Sequence, residues 1–265
     1  MQTTGESAGQ TTVPSADDAE RPARWVRTAD DVMDLLDRLF AEAADRWSDR
    51  GGKDWWDAFY ADRSRPIPFF RWAPDESLVT WQDAGLLGAG PGVRVLELGC
   101  GPGRNAVWLA QQGCVVDAVD LSPAAVAWGR ERAAEAGVDV AFHRADIFRW
   151  EPPAGPYDVV VDSGCFHHLP PHRRVSYLAL LERTLAQGGR FALACFAADG
   201  PADVTGTTAS DTDLYRTGGL GGGLAYTADE LRRTFAGLTE LEVRHMHPGG
   251  PHFGEPFLWA ALFRR

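Results

Sequence analysis

The sequence predicts an α/β protein with a doubly wound, Rossmann-like sheet of seven strands, an antiparallel C-terminal hairpin and an N-terminal helical cap. Three observations carry this prediction. A buried-strand pattern at residues 93–98 runs directly into a glycine turn and a helix, and further apolar strands then alternate with helical stretches. Two strand-like stretches, residues 240–247 and 256–263, close the chain without a helix between them.

The first strand, turn and helix lie between residues 93 and 110. Branched apolar side chains cluster before the turn, as they do in a strand that is covered on both faces. Gly99, Gly101 and Gly103 then form a tight turn, and the helix follows at once. This order is the nucleotide-binding half of a doubly wound fold, in which ligands lie at the carboxyl ends of the strands.

The spacing of the glycines in the turn and the acidic residue before it indicate which class of ligand the turn binds. Dinucleotide-binding turns read G-x-G-x-x-G, whereas this turn reads Gly99-x-Gly101-x-Gly103 and follows Glu97. A carboxylate at this place favours a ligand with a cationic amino-acid portion over a pyrophosphate, because like charges repel. The stretch from Glu97 to Gly103 resembles the first motif, E/D-x-G-x-G-x-G, of the class I S-adenosylmethionine-dependent methyltransferases.

This resemblance implies S-adenosylmethionine as the cofactor and S-adenosylhomocysteine as the product. An acid that ends the second strand is also where a doubly wound fold binds a ribose diol, and Asp120 lies there. The resemblance assigns the adenine ring to Asp146 and Ile147, although a surface-loop role for Asp146 stays open. The predicted cofactor-binding residues are Glu97, Gly99, Gly101, Gly103, Asn105, Asp120, Leu121, Asp146, Ile147, Asp162 and Ser163.

Catalytic residues are expected where the fourth strand ends, because this topology places that end beside the glycine turn. His167 and His168 follow it closely. Two adjacent side chains cannot point the same way on a regular element, so we expect His168 to face the acceptor and His167 to pack behind it. A base is needed only for an acceptor that loses a proton, and a structural role stays open for either histidine.

The composition divides the chain into three parts. Residues 1–24 hold few large apolar side chains and are predicted to be a disordered tail. Residues 25–90 are predicted to be a helical, aromatic-rich cap, and residues 91–265 the methyltransferase domain that binds S-adenosylmethionine. In the cap, Thr28 and Asp31 resemble a helix-capping pair that precedes an apolar stripe. That stripe either packs on the main domain or roofs the site.

Aromatic side chains are dense in the cap, with eight between residues 55 and 81, where three prolines exclude one long helix. They either fill the joint between cap and core or line a pocket for an apolar acceptor. We expect the joint for most of them, and pocket walls for Tyr60 and Trp72. Tyr215 is a third pocket candidate, because the glycine-rich segment 197–223 is long enough to be a lid or an acceptor-binding loop.

Composition also restricts partners and location. The chain has 265 residues and a net charge of −11, which disfavours a nucleic-acid partner. It shows neither a basic leader nor an apolar run of roughly 18 residues, so a cytoplasmic protein without a membrane segment is expected. The four cysteines lack C-x-x-C pairing, and buried thiols are expected in place of a metal site. The expected assembly is a monomer or a homodimer.

The predicted function is methyl transfer from S-adenosylmethionine to an O, N, S or C nucleophile of a small molecule. The layout also resembles the small-molecule branch of thiopurine, thiol, halide and tellurite methyltransferases. An NAD-dependent oxidoreductase is the less favoured alternative, since Lys53 is the single lysine and no Tyr-x-x-x-Lys pair exists. A protein that binds S-adenosylmethionine without methylating stays open, because cofactor motifs report binding and not turnover.

Overall fold

The computed structural model describes residues 24–40, 45–48, 50–153, 155–201 and 204–265, so nearly all of the predicted disordered tail lies outside the described residues. Within them, seven strands form one sheet in the order β3-β2-β1-β4-β5-β7-β6. Strands β1 to β5 are parallel, and β7 runs antiparallel between β5 and β6. The predicted fold class is confirmed. The strands are β1 Arg94–Leu98, β2 Val115–Asp120, β3 Ala141–Arg144, β4 Tyr157–Ser163, β5 Leu185–Phe196, β6 Thr239–His245 and β7 Leu258–Arg264.

Helices cover both faces of the sheet. Val95 and Leu96 are both fully buried although neighbouring strand residues point to opposite faces. One core layer packs α3, α4 and α5 against one face, and the other packs α6, α7 and α8 against the opposite face. The helices are α1 Ala29–Asp37, α2 Gly52–Ala61, α3 Glu76–Asp83, α4 Arg104–Gln111, α5 Pro123–Ala136, α6 Arg173–Thr184, α7 Asp211–Thr217 and α8 Ala228–Thr234, with 3-10 turns at Pro68–Phe70 and Phe166–His168.

Two segments differ from the sequence-based expectation. The helix expected over 173–187 ends at Thr184, and β5 starts directly after it. The segment 197–223 is not irregular throughout, since it contains α7. The hydroxyl of Ser210 accepts the amide of Asp213 and caps this helix, and Gly218 ends it in the left-handed conformation.

Helix α1 has the expected capping box, and the expected apolar stripe is buried only in part. The Thr28 side chain accepts the amide of Asp31, and the Asp31 carboxylate accepts the amide of Thr28. The apolar stripe was expected either to pack on the main domain or to roof the site. Val32 and Leu35 are each 39% exposed, whereas Phe40 and Trp47 at its end are buried, and Trp47 lines the cavity described below. The helix ends at Asp37, and that carboxylate is its buried residue.

Asp37 is buried because it accepts hydrogen bonds from several elements. Trp47 Nε1 donates to it at 2.9 Å, His172 Nε2 lies 2.6 Å from it, and Arg173 donates through two nitrogens. Burial alone would raise the pKa of Asp37, but the hydrogen bonds from His172 and Arg173 outweigh burial and hold that pKa well below its usual range. Polar contacts therefore join α1 to α6.

Helix α2 and the residue that precedes α3 connect the cap to the carboxyl edge of the sheet. Asp57 of α2 accepts the amide of Ala124 at 2.7 Å and the Ser122 hydroxyl at 3.1 Å, at the start of α5. The amide of Asp75 donates to the side-chain oxygen of Asn105 at 2.9 Å. The division between cap and main domain at residue 90 stays a prediction. No described helix is long and apolar enough to span a membrane.

Candidate active site

A cavity of about 520 Å³ lies at the carboxyl ends of the central strands. The glycine turn and the ends of β1 and β2 form one part of its wall. The 3-10 turn after β4, the end of β5, helix α2 and the segments before α7 and after it form the rest. This is the edge at which a doubly wound sheet binds its ligands.

The glycine turn needs its glycines for conformation and for space. Gly99 and Gly101 both line the cavity and have φ angles of +62° and +51°. A Cβ at Gly99 would lie 2.6 Å from the Cβ of Cys165, and a Cβ at Gly101 would lie 2.8 Å from the hydroxyl of Tyr60. Gly103 lies outside the lining and faces the ring of Phe142.

Asp120 ends β2 and connects it to the glycine turn. The amide of Gly101 donates to Oδ2 at 2.8 Å, and the amide of Ser122 donates to Oδ1 at 2.8 Å. Burial raises the pKa of Asp120 to about 6, although the same two amides oppose the rise. Asp120 and Leu121 both line the cavity. Each carboxylate oxygen retains a lone pair for a hydroxyl donor.

Glu97 presents an unpaired oxygen in the same part of the cavity. Its side chain is 2% exposed, and Oε2 has no hydrogen-bond partner. Burial raises the pKa of Glu97 to about 8, and the charge of Arg104 and a hydrogen bond from Asn105 only partly oppose this rise. Because a buried carboxylate without a partner is costly, this oxygen suits a cationic or hydrogen-bonding group of a ligand.

Arg104 and Asp75 were missed by the sequence analysis. Arg104 pairs with the Asp75 carboxylate, its Nη2 donates to the Ser163 hydroxyl at 2.8 Å, and its guanidinium lies 4.1 Å over the ring of Phe253. Arg104, Ser163 and Asn105 all line the cavity. Asp75 comes from the cap, and no motif connects it to the glycine turn in sequence.

Besides Gly103, two predicted cofactor residues, Asp162 and Asp146, lie behind the lining. Asp162 accepts the amides of Gly164, Cys165 and Phe166 and the hydroxyl of Tyr177, and these donors occupy both of its oxygens. It therefore shapes the turn after β4 without lining the cavity.

Asp146 accepts the amide of Phe148 at 2.9 Å and also lies outside the lining, whereas Ile147 is part of it. The adenine assignment stays a prediction.

His167 and His168 both line the cavity, contrary to the expectation that one ring would pack behind the other. Their ring centroids lie 4.4 Å apart, because a 3-10 turn does not impose the alternation of a strand. His167 stacks on Phe196 at 3.8 Å, and His168 meets the ring of Trp56 edge-on at 5.0 Å.

Both histidines are neutral near pH 7. Burial lowers the pKa of His168 to about 3, with a contribution from the charge of Arg46, while a hydrogen bond to the Gly222 carbonyl opposes the fall. Burial, His168 and Arg46 likewise hold the pKa of His167 well below its usual value. Nδ1 of each ring is buried without a partner. An unpartnered Nδ1 on a neutral ring can accept a hydrogen bond from a ligand when the other ring nitrogen carries the proton.

The cap supplies an aromatic wall to the cavity, formed by Trp55, Trp56, Phe59, Tyr60 and Phe69. More of these rings line the cavity than expected from the sequence, since the first four follow one face of α2 and stack in pairs, and Phe69 of the 3-10 turn stacks on Phe59. Phe196, Phe253, Glu255 and Phe257 were not anticipated as lining residues.

Tyr60 is a wall residue as expected, but the prediction that Trp72 and Tyr215 line the pocket is wrong. Trp72 is 45% exposed and lies beside the guanidinium of Arg132. The hydroxyl of Tyr215 accepts the amide of His172 at 3.0 Å, outside the cavity. Two parts of the segment 197–223 line the cavity, residues 204–206 and 221–222, and its role as a lid or an acceptor-binding loop stays a prediction.

The comparisons with known proteins agree with this architecture. Residues 95–189 match the family described as a methyltransferase domain. A 2-heptyl-1-hydroxyquinolin-4(1H)-one methyltransferase of Mycobacteroides abscessus is 32% identical over 42% of this chain and 50% of that protein. A 27-O-demethylrifamycin SV methyltransferase of Amycolatopsis mediterranei is 32% identical over 63% of this chain and 56% of that protein. The chain therefore spans about half the length of these curated relatives.

A solved structure is similar over most of the fold. It comes from work on the conversion of a disulfide bond into a thioacetal group during echinomycin biosynthesis, with a TM-score of 0.61 and 26% identity over 80% of this chain and 91% of that chain. The sheet order, the glycine turn at the end of β1 and the acid that ends β2 define a class I methyltransferase fold. In this fold and in its methyltransferase-domain match, the chain resembles the class I S-adenosylmethionine-dependent methyltransferase superfamily.

Proposed function

We propose that this protein transfers a methyl group from S-adenosylmethionine to a small-molecule acceptor. One observation carries the proposal: a single cavity joins Glu97 and Asp120, beside the glycine turn, to two neutral histidines and an aromatic wall. The first part has the donor set for a cationic nucleoside ligand, and the second has apolar surface and hydrogen-bond acceptors for an organic substrate.

The residues beside the glycine turn fit the cofactor. Asp120 holds the ribose hydroxyls through the lone pairs that Gly101 and Ser122 leave open, and Glu97 pairs with the ammonium group through its unpaired Oε2. When bound, S-adenosylmethionine supplies a methyl group that is already activated on a sulfonium. The protein therefore contributes mainly proximity and orientation.

The residues in the second part fit an acceptor that reacts through an oxygen anion. Nδ1 of His168 is unpartnered and its ring is neutral, so it accepts a hydrogen bond and orients the acceptor, while a pKa of about 3 makes the ring too weak a base to hold the acceptor's proton near pH 7. The names of the two curated relatives describe methyl transfer to small molecules, a hydroxyquinolinone and a rifamycin.

We also propose a cytoplasmic protein that acts as a monomer or a homodimer.

The experiment is to incubate the purified protein with S-adenosylmethionine and a panel of small aromatic hydroxy compounds, and to measure S-adenosylhomocysteine by mass spectrometry. Formation of S-adenosylhomocysteine that depends on an acceptor and yields a methylated product supports the proposal. Tight binding of the cofactor without any product across a broad acceptor panel would favour a binding protein of this fold.

A further inference from the structure

Arg46 places a positive charge in the acceptor part of the cavity without a carboxylate partner. Its guanidinium lies 3.9 Å over the ring of Trp55, and Nη1 donates to the carbonyl oxygen of Gly222 at 3.1 Å. Among the described residues, no carboxylate oxygen pairs with it within 4.0 Å. Arg104, the other arginine of the lining, is neutralised by Asp75. The charge of Arg46 is thus open to a ligand.

The backbone of Arg46 is fixed by its neighbours. Trp56 Nε1 donates to the Arg46 carbonyl oxygen at 2.8 Å, and the next residue, Trp47, donates its amide to Asp45 at 3.2 Å. A Cβ at Gly52 would lie 2.7 Å from the carbonyl carbon of Arg46, so α2 begins in close contact with this segment. A fixed cation costs less entropy when it binds a ligand than a mobile one does.

Stacking directs the remaining donors of Arg46. A guanidinium carries its five N–H donors in one plane, and one of them is used by Gly222. The face of the group is occupied by Trp55, while the edge stays available for the oxygens of a carboxylate or a phenolate. Such an edge-on arrangement gives short, charge-assisted hydrogen bonds.

The walls beside this cation are flat and aromatic. Trp55 and Trp56 come from α2, and Phe196 and Phe257 come from the end of β5 and the loop before β7. Aromatic faces pack best against other planar rings. The acids Glu97 and Asp120 lie around the glycine turn, where the proposed function places the cofactor.

We propose that the acceptor is a planar aromatic molecule with a negatively charged oxygen substituent, which the edge of Arg46 binds while the aromatic walls hold the ring. This inference rests on the proposed methyltransferase function, since it names the class of substrate for the same cavity. In this proposal, Arg46 is the residue that makes negatively charged acceptors bind more tightly than uncharged ones.

The test compares two probes of similar size with and without the charge, 3-hydroxy-2-naphthoate and 2-naphthol. Calorimetry near pH 7 measures the binding of each to the full chain saturated with S-adenosylhomocysteine. We expect the carboxylate probe to bind at least about tenfold more tightly. Equal affinity for the two probes, or no binding of the carboxylate probe, would overturn the inference.

Variants then assign the preference to Arg46. We expect Arg46→Gln to remove the difference between the probes, with the affinities for 2-naphthol and S-adenosylhomocysteine unchanged, and Arg46→Lys to retain part of it. Arg63→Gln is the matched control, because Arg63 is also a cap arginine but pairs with Glu131 outside the cavity. It should bind both probes as the parent protein does.

The outcomes separate this inference from the function on which it rests. If the parent protein does not bind S-adenosylhomocysteine, the proposed function itself fails. If it binds S-adenosylhomocysteine but Arg46→Gln weakens both probes equally, the assignment of Arg46 fails alone. A loss of S-adenosylhomocysteine affinity in Arg46→Gln would place Arg46 at the cofactor and would also overturn the assignment.

Discussion

The amide of Gly101 donates to Oδ2 of Asp120 at 2.8 Å, so the turn after β1 and the carboxylate that ends β2 form one unit. Ser122 supplies the second amide, at Oδ1. The two amides fix the orientation of the Asp120 carboxylate, and each of its oxygens keeps a lone pair for a ligand in the cavity. Two motifs that are separate in sequence become one binding surface.

Asp120→Asn should weaken the binding of S-adenosylhomocysteine by at least about tenfold, because the amide nitrogen meets a backbone N–H donor and one acceptor is lost. Calorimetric titration measures this loss. Asp139→Asn, an exposed change of the same type, is the control and should bind as the parent protein does. Unchanged affinity in Asp120→Asn would remove the ribose assignment.

Gly101→Ala should lose cofactor affinity through crowding at the hydroxyl of Tyr60, 2.8 Å from the new Cβ. Gly85→Ala is matched for backbone strain, since Gly85 has a φ of +70° and open space around its Cβ position. Titration with S-adenosylhomocysteine should show weak binding only for the Gly101 variant, and adding Tyr60→Phe should restore part of it. Equal behaviour of the two alanine variants would show that strain, and not crowding, is the cause.

Glu97→Gln should stabilise the ligand-free protein at high pH while it weakens cofactor binding. The pKa of Glu97 is raised to about 8, so the folded state binds more protons than the unfolded state between about pH 4.5 and pH 8. Stability therefore falls as pH rises through this range. Urea unfolding should show the variant more stable by about 1–3 kcal/mol at pH 8.5, with a smaller difference near pH 5.

The pKa values of Asp120 and Asp162 are also raised. Both residues are present in the parent protein and in Glu97→Gln, so their contributions to the pH dependence of stability largely cancel in the difference between the two proteins. A difference that does not change with pH would contradict the assignment of a proton to buried Glu97.

Asp37→Asn should destabilise the protein by about 3 kcal/mol near pH 7, because it leaves His172 and Arg173 without their shared carboxylate. The pKa of Asp37 is lowered in the folded state, so its contribution is present above the ordinary carboxyl range and is lost as pH falls below about 4. Urea unfolding of both proteins at pH 7 and pH 3 measures this.

Asp30→Asn, an exposed change in the same helix, is the control for Asp37 and should change stability by less than about 0.5 kcal/mol. A destabilisation by Asp37→Asn that is as large at pH 3 as at pH 7 would contradict the role of the charge.

His168→Ala should lower the turnover number by about 10²-fold or more and leave the affinity for S-adenosylhomocysteine unchanged, since the ring contacts the acceptor part of the cavity. Initial rates at saturating cofactor, beside a binding titration, separate the two effects. His247→Ala, at an exposed histidine outside the cavity, is the control. Equal losses in turnover and cofactor affinity would make His168 a structural residue.

The sequence predicted the sheet and the part of the site beside the glycine turn because local signals specify them. Branched strands, the Gly99-x-Gly101 turn and the acid that ends β2 each occupy one short stretch, and the doubly wound topology brings them together. The pairing of Arg104 with Asp75 could not be predicted in this way, since it joins residues from cap and core without a periodic pattern.

In the cap, two predictions from the sequence pattern differ from the structure. The apolar spacing of residues 32–47 predicted one helical stripe, but α1 ends at Asp37. The Asp37 carboxylate accepts hydrogen bonds from four donor nitrogens, which hold this polar residue inward while Val32 and Leu35 stay exposed. Trp72 was expected in the pocket from aromatic density alone, whereas its ring instead packs beside Arg132. Density of aromatic residues indicates an apolar joint without selecting the rings that face the cavity.

The central claim is that this cavity binds S-adenosylmethionine, and calorimetric titration of the ligand-free protein with S-adenosylhomocysteine tests it most directly. We predict one site per chain that is weakened in Asp120→Asn, and no binding of NADH under the same conditions. Binding of NADH but not of S-adenosylhomocysteine, or equal binding by the parent protein and Asp120→Asn, would contradict the account.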